Sequence, residues 1–252
     1  MLLAYLFGDY DRAGVHAEVL LASKDEEFPL FWTQFYPSLR GLVWLALAKK
    51  ESATKKQQQR YKTLAKKELV KSTKYAKAGF VNYPCMHLLL EAEMLTVKAA
   101  SSKKKDINVD DTIRSAYEKA INIASRSGFS LFASIGNERA AWYFYYRNNE
   151  VMNDDTTFYL AKLIPLLTEW NAAGVISHVI SKYKLDQNAS SSSLLSSALQ
   201  NRSSGKHLKR MTVDETLSEN HKDQDWIRGS LRTSTTSSTE IGKRASNGSR
   251  RM

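Results

Sequence analysis

The chain has 252 residues, 42% of them hydrophobic, and a formal net charge of +11. That apolar share supplies a core over most of the length, and the single cysteine, Cys85, excludes an intrachain disulfide framework and a multi-thiolate zinc site and fits a reducing, cytoplasmic setting. The longest apolar run, "LVWLALA" at 42–48, is far short of the roughly 20 residues that span a bilayer, and "MLLAYLFGDYDRAG" lacks the basic start and long apolar stretch of a secretory signal.

The charge is unevenly placed. Residues 49–77 hold eleven Lys/Arg against Glu51 and Glu68, residues 186–252 hold eleven Lys/Arg against seven Asp/Glu, and the remainder is close to neutral. The basic character belongs to one segment and one tail.

The first 185 residues read as helix after helix, because Pro is rare, no Asn-Gly or Asp-Gly hairpin signal occurs there, and no convincing run of four to eight residues alternates apolar and polar. The spacing predicts helices over about 11–24, 31–50, 55–78, 83–102, 110–127, 130–148, 155–171 and 174–183. The opening "LLAYLFGDYDRAG" reads as the second half of an earlier hairpin.

The helix over 55–78 gathers Tyr61, Leu64, Ala65, Leu69 and Ala76 on one arc, while Lys62, Lys66, Lys67, Lys71 and Lys74 cover the rest. Those five lysines are the candidate partner-binding residues. Such a face suits a solvated outer surface, an acidic protein partner, phosphates or an anionic membrane, and no aromatic side chains interleave with the lysines to stack bases. Pro84 fits the first turn of the next helix, where its missing N–H costs nothing.

In "DDTIRSAYEKAINIASRSG", Asp110 or Asp111 is placed to cap the helix, Ile113, Ala116, Tyr117, Ala120, Ile121 and Ala124 form a stripe, and Gly128 stops it. The following helix carries Trp142, Tyr143, Phe144, Tyr145 and Tyr146 in a row, after the charged pair Glu138 and Arg139. Five consecutive residues sweep about 500° of rotation, so they encircle the helix and mark it as core, with one or two Tyr rings left outside. Pro165 should kink its helix or shorten it.

A weak repeat links "HLLLEAEMLTVKAA" and "DDTIRSAYEKAINIA" to "ASIGNERAAWYFYY" and "DDTTFYLAKLIPLL". From Glu91 to Glu138 and from Asp111 to Asp155 the spacing is in the range of helical arrays, in which each hairpin buries its faces on its neighbours. Beyond Asp186 the chain is Ser/Thr-rich and poor in apolar residues, which predicts a disordered tail over 186–252. Two basic-x-hydroxyl patterns in it, "KRMT" and "KRAS", make Thr212 and Ser246 candidate phosphosites.

The common nucleotide-binding, zinc-protease and hydrolase motifs are missing. The histidines are scattered, and Cys85 and His87 stand two apart, on different faces of a helix. Nothing here marks a catalytic residue, a cofactor or a metal.

Over residues 58–184, "YAKAGFVNYPCMHLLLEAEMLTVK", "AYEKAINIASRSGFSLFASIGNERAAWYFYYRNNE" and "FYLAKLIPLLTEWNAAGVISHVISKY" resemble the tetratricopeptide-like helical region of large signalling ATPases. In those proteins a Ser/Thr kinase-like domain and an AAA-type ATPase domain precede this region, and a PAS, histidine-kinase or cyclase module often follows. The matching positions are Glu91, Tyr117, Ala120, Ile121, Ala124, Gly128, Phe129, Asn137, Glu138, Ala140, Tyr159, Leu160 and Trp170. The sequence departs where the family has Gly after Trp, here Asn171, and Lys before Val, here His178.

The resemblance implies an all-α, tetratricopeptide-like α-solenoid of antiparallel hairpins over residues 1–185. In it Glu91, Tyr117, Asn137, Glu138, Trp142, Phe144 and Trp170 form a structural signature. The family's catalytic portions are absent, so the expected function is a non-catalytic interaction or scaffold module, a fragment or stand-alone remnant. The alternative is a binder of nucleic acid or anionic membrane through residues 49–77 and the tail.

Overall fold

A computed structural model describes residues 1–22, 35–80, 83–100 and 107–185. The tail over 186–252, with Thr212 and Ser246, lies outside the described residues, as does the start of the helix expected from 31. Among the described residues the fold is all-α, with no strand.

The helices are α1 (Leu2–Leu6), α2 (Tyr10–Ala22), α3 (Tyr36–Ala48), α4 (Lys55–Lys77), α5 (Tyr83–Ala100), α6 (Ile107–Arg126), α7 (Ser130–Arg147), α8 (Asp154–Glu169) and α9 (Ala173–Lys182). Local chemistry sets most of these limits. The Thr54 side chain accepts from the Gln57 amide while the Gln57 side chain accepts from the Thr54 amide, a reciprocal cap that starts α4. Asn153 Oδ1 accepts from the Thr156 N–H at 2.8 Å and starts α8. Gly128, at φ +69°, turns the chain out of α6 into the left-handed conformation that suits glycine.

One expectation needs revision. Asp110 and Asp111 do not cap α6, which already begins at Ile107; the Asp110 carboxylate instead accepts from Tyr143 and Arg147 on α7. Pro165 lies inside α8, which ends at Glu169. The five-residue α1 falls within the opening stretch read as half of an earlier hairpin.

Each helix packs on its successor in the chain, and α3, α5 and α7 also pack on one another in order. Those three therefore form an inner row, and their composition fits the position. Every residue from Pro37 to Ala48 in α3 is buried, and α5 and α7 are buried on most sides. By contrast α4, α6 and α8 each bury one face, as Ile113, Tyr117, Ala120, Ile121 and Ala124 do on α6. Close approach of α6 and α7 depends on Gly136, where an added Cβ would lie 2.7 Å from Ile121 Cγ1.

The aromatic row on α7 divides by rotation. Phe144 and Tyr145 are buried, Trp142 and Tyr143 are half-buried, and Tyr146 is 54% exposed. Phe144 stacks on Tyr159 of α8 with ring centres 5.9 Å apart, and Tyr145 meets Tyr183 edge to face at 5.1 Å. The row joins the core to the outer helices rather than forming a platform.

Candidate functional site

The charged segment of the sequence becomes α4, whose 23 residues span about 35 Å at 1.5 Å per residue. One arc faces α3 and α5: Ala65 is buried, Tyr61, Leu64, Leu69 and Ala76 are half-buried, and Tyr61 stacks on Trp44 with centres 5.8 Å apart. On the other arc Lys66, Lys67 and Lys74 are exposed, with Lys62 and Lys71 half-buried at its margins. Val70, 57% exposed, stands in the middle of the lysines.

The sole carboxylate of α4, Glu68, does not share that face. It is 2% exposed and accepts from Arg40 of α3, Nε to Oε1 at 3.1 Å and Nη2 to Oε2 at 3.4 Å. Arg40 is itself buried and gives its remaining nitrogen to the Leu20 carbonyl at 3.2 Å. A carboxylate that sequence alone places among lysines is thus spent on a core arginine, and the outer face keeps its positive charge undiluted. The one arginine of α4, Arg60, pairs with Glu18 of α2 at 2.6 Å.

Beyond Lys77 the chain turns at Gly79, φ +84°, and brings Phe80 back against Tyr75 and Tyr83. Tyr75 and Phe80 are 37% and 41% exposed, so a half-exposed aromatic group marks the end of α4.

A second cluster of charge lies inside the inner row. Glu93 of α5 accepts from Arg139 Nε of α7 at 3.0 Å, from Lys49 Nζ at the end of α3 at 2.6 Å, and from the Tyr117 hydroxyl of α6. Arg139 also donates to the Tyr10 hydroxyl at 2.8 Å. Burial alone would raise the Glu93 carboxyl, but Arg139 and Lys49 outweigh it by charge and hydrogen bonding and hold the group at about 2. Burial pulls the Lys49 ammonium down to about 8, with Glu93 opposing. The cluster pins five elements together, and the Glu93 oxygens are taken by Arg139, Lys49 and Tyr117.

The residues expected to form a structural signature scatter between core and surface. Tyr117 is buried on Glu93; Asn137 is buried and donates to the Ala133 carbonyl at 2.8 Å. Glu138 accepts from Lys182 at 2.6 Å, and that lysine lies 4.1 Å above the Trp142 ring. Phe144 is buried, whereas Glu91 is exposed beside His87 at 3.4 Å and Trp170 is 44% exposed at the end of α8. Asn171 takes φ +54°, and His178 meets the Phe7 ring at 5.6 Å.

Sequence reasoning missed Arg40, Lys49 and Glu93. One signal was present for Glu93: its helical neighbours at three, four and seven residues, Leu90, Thr96, Leu89, Val97, Met86 and Ala100, carry no charge, whereas those of Glu91 include His87 and Lys98. Among the described residues no group of three or more His, Cys, Asp or Glu side chains could hold a metal. Cys85 is buried, and burial pushes its thiol up to about 12, far from a reactive thiolate.

No family model, curated protein or solved structure matches the chain. Among the described residues no helix is long and apolar enough to cross a membrane.

Proposed function

We propose that this protein is a non-enzymatic interaction module, a tetratricopeptide-like α-solenoid whose outer helix α4 docks an anionic partner. The observation that carries the reading is the sorting of charge on α4. Glu68 is withdrawn onto Arg40, while Lys66, Lys67 and Lys74 stand exposed along one face. The order of packing, hairpin after hairpin with α3, α5 and α7 in an inner row, supports the solenoid.

Residues 1–185 form the scaffold in this reading, with 186–252 as a basic tail. The resemblance to the helical region of signalling ATPases supports a scaffolding role beside catalytic domains carried elsewhere. The inner ionisable groups support a structural rather than catalytic use, because the Glu93 carboxylate is engaged by both Arg139 and Lys49.

Binding to a soluble polyanion such as heparin tests the reading. Affinity should fall steeply as salt rises, and Lys66→Glu, Lys67→Glu and Lys74→Glu together should remove most of it. Salt-insensitive binding, or binding unchanged by that triple variant, would reject α4 as the docking face.

A further inference from the structure

We infer that the anionic partner of α4 is the surface of a lipid bilayer carrying acidic headgroups; the inference rests on the reading of α4 as an anion-docking face.

Three features select a bilayer among anionic partners. The first is shape. The lysines lie along an outer helix of 23 residues, a convex rod of about 35 Å, and a rod offers its charge to a flat sheet more completely than to a peptide, which needs a groove.

The second is the type of cation. Recognition of one phosphate or carboxylate favours the planar fork of arginine, whereas a diffuse anionic surface attracts lysine as a point charge. On α4 the only arginine, Arg60, is exposed but paired with Glu18, and the remaining exposed charge is lysine. Base stacking, the usual complement to lysine on single-stranded nucleic acid, would need aromatic side chains between the lysines, and the exposed face from Lys55 to Lys74 has none.

The third feature is apolar. Val70, 57% exposed, sits in the centre of the lysines. A soluble polyanion gains nothing from it. At a headgroup boundary an aliphatic side chain enters the upper acyl region, while lysines reach back to the phosphates. Charge supplies long-range attraction and the apolar side chain holds the docked helix in place.

The test is cosedimentation of the full 252-residue chain with phosphatidylcholine vesicles, with and without about 30 mol% phosphatidylserine, at low and physiological salt. Structured RNA and polyglutamate are run beside them. Binding is expected only to the acidic vesicles among the lipids. Neutralising Lys66, Lys67, Lys74 and Lys77 to Gln should lower it by about fivefold per lysine. Val70→Ser should weaken vesicle binding several-fold while leaving heparin binding unchanged, a split that a purely electrostatic surface cannot give.

Binding to RNA or polyglutamate without binding to acidic vesicles overturns the bilayer and leaves the docking face standing. Vesicle binding that survives the quadruple variant overturns α4 as its carrier. No binding to any of these polyanions at low salt removes the inference and the proposed function together.

Discussion

Glu93 and Arg139, 46 residues apart in sequence, meet through paired nitrogens and oxygens at 3.0 and 3.4 Å, with side chains only 1% and 2% exposed. Taking two ions out of water is costly, and their contact offsets that cost only while both are present. Arg139→Met should therefore lower stability by about 3–5 kcal/mol, because it strands a buried carboxylate. Lys49→Met should cost less, since the Lys49 side chain is 21% exposed and Arg139 stays in place. Urea denaturation of the two variants decides the ranking. Equal losses, or a loss below about 1 kcal/mol for Arg139→Met, would mean that water already enters the site.

The same pair sets a pH window. A carboxyl held near 2 when folded and titrating near 4.3 when unfolded binds its proton less readily in the native state. The stability it contributes is complete above about pH 4.3 and is lost as pH falls toward 2. Glu93→Gln should be less stable at neutral pH and should show a flatter fall of Tm across that acid window. Parallel Tm curves for the two proteins, measured from pH 5 to pH 2, would contradict it.

The helices were largely legible from sequence, and the ion pairs were not. Helix-stopping glycines and the apolar stripe of α6 act over a few residues, so Gly128 announces a boundary that the fold keeps; the caps Thr54 and Asn153 are equally local. Burial of a charge is decided by a partner far along the chain. Nothing near Arg40 points to Glu68, 28 residues on, and a glutamate beside two lysines reads as a surface residue. For α4 the sequence gives away the lysine face but not the withdrawal of its only carboxylate. The start of α6 was misjudged because Asp110 has the chemistry of a cap, while its oxygens serve Tyr143 and Arg147.

Rotation around α7 makes neighbouring aromatics unequal. Phe144 is 3% exposed, stacked on Tyr159 and covered by the Arg114 guanidinium at 5.1 Å, so Phe144→Ala should cost about 3–5 kcal/mol through lost burial and a cavity. Tyr146, two residues on, is 54% exposed, and its ring touches little core. Tyr146→Ala should stay within about 0.5–1 kcal/mol of the parent. Thermal melts separate the two, and comparable losses would place Tyr146 in the core.

Gly136 offers a test in which two effects oppose each other. Alanine is favoured over glycine in a helix by about 1 kcal/mol, yet its Cβ would stand 2.7 Å from Ile121 Cγ1. That atom lies next to the branch point of a stiff side chain, so α6 or α7 must yield, at a cost of about 1–3 kcal/mol. Gly136→Ala should be net destabilising, and adding Ile121→Val should not rescue it, because Val keeps both γ carbons, whereas Ile121→Ala should remove the clash. A Gly136→Ala variant more stable than its parent would show that α6 and α7 are free to separate.

Asn171 adopts φ +54° between α8 and α9, so the side chain and the turn compete. A β-carbon in the left-handed region costs about 1–2 kcal/mol, less for Asn, which tolerates it best after Gly. Asn171→Gly removes that penalty but frees the unfolded chain by a similar amount, and should leave stability within about 0.5 kcal/mol of the parent. Asn171→Val keeps the β-carbon, adds a branch, and should lose about 1–2 kcal/mol. The loss should fall on the last hairpin, where the Ala172 N–H donates to the Leu167 carbonyl at 2.9 Å. Hydrogen exchange should therefore show faster opening of α9 in the Val variant with α5 unchanged. Uniform acceleration over both helices would instead make the turn part of one cooperative unit with the inner row.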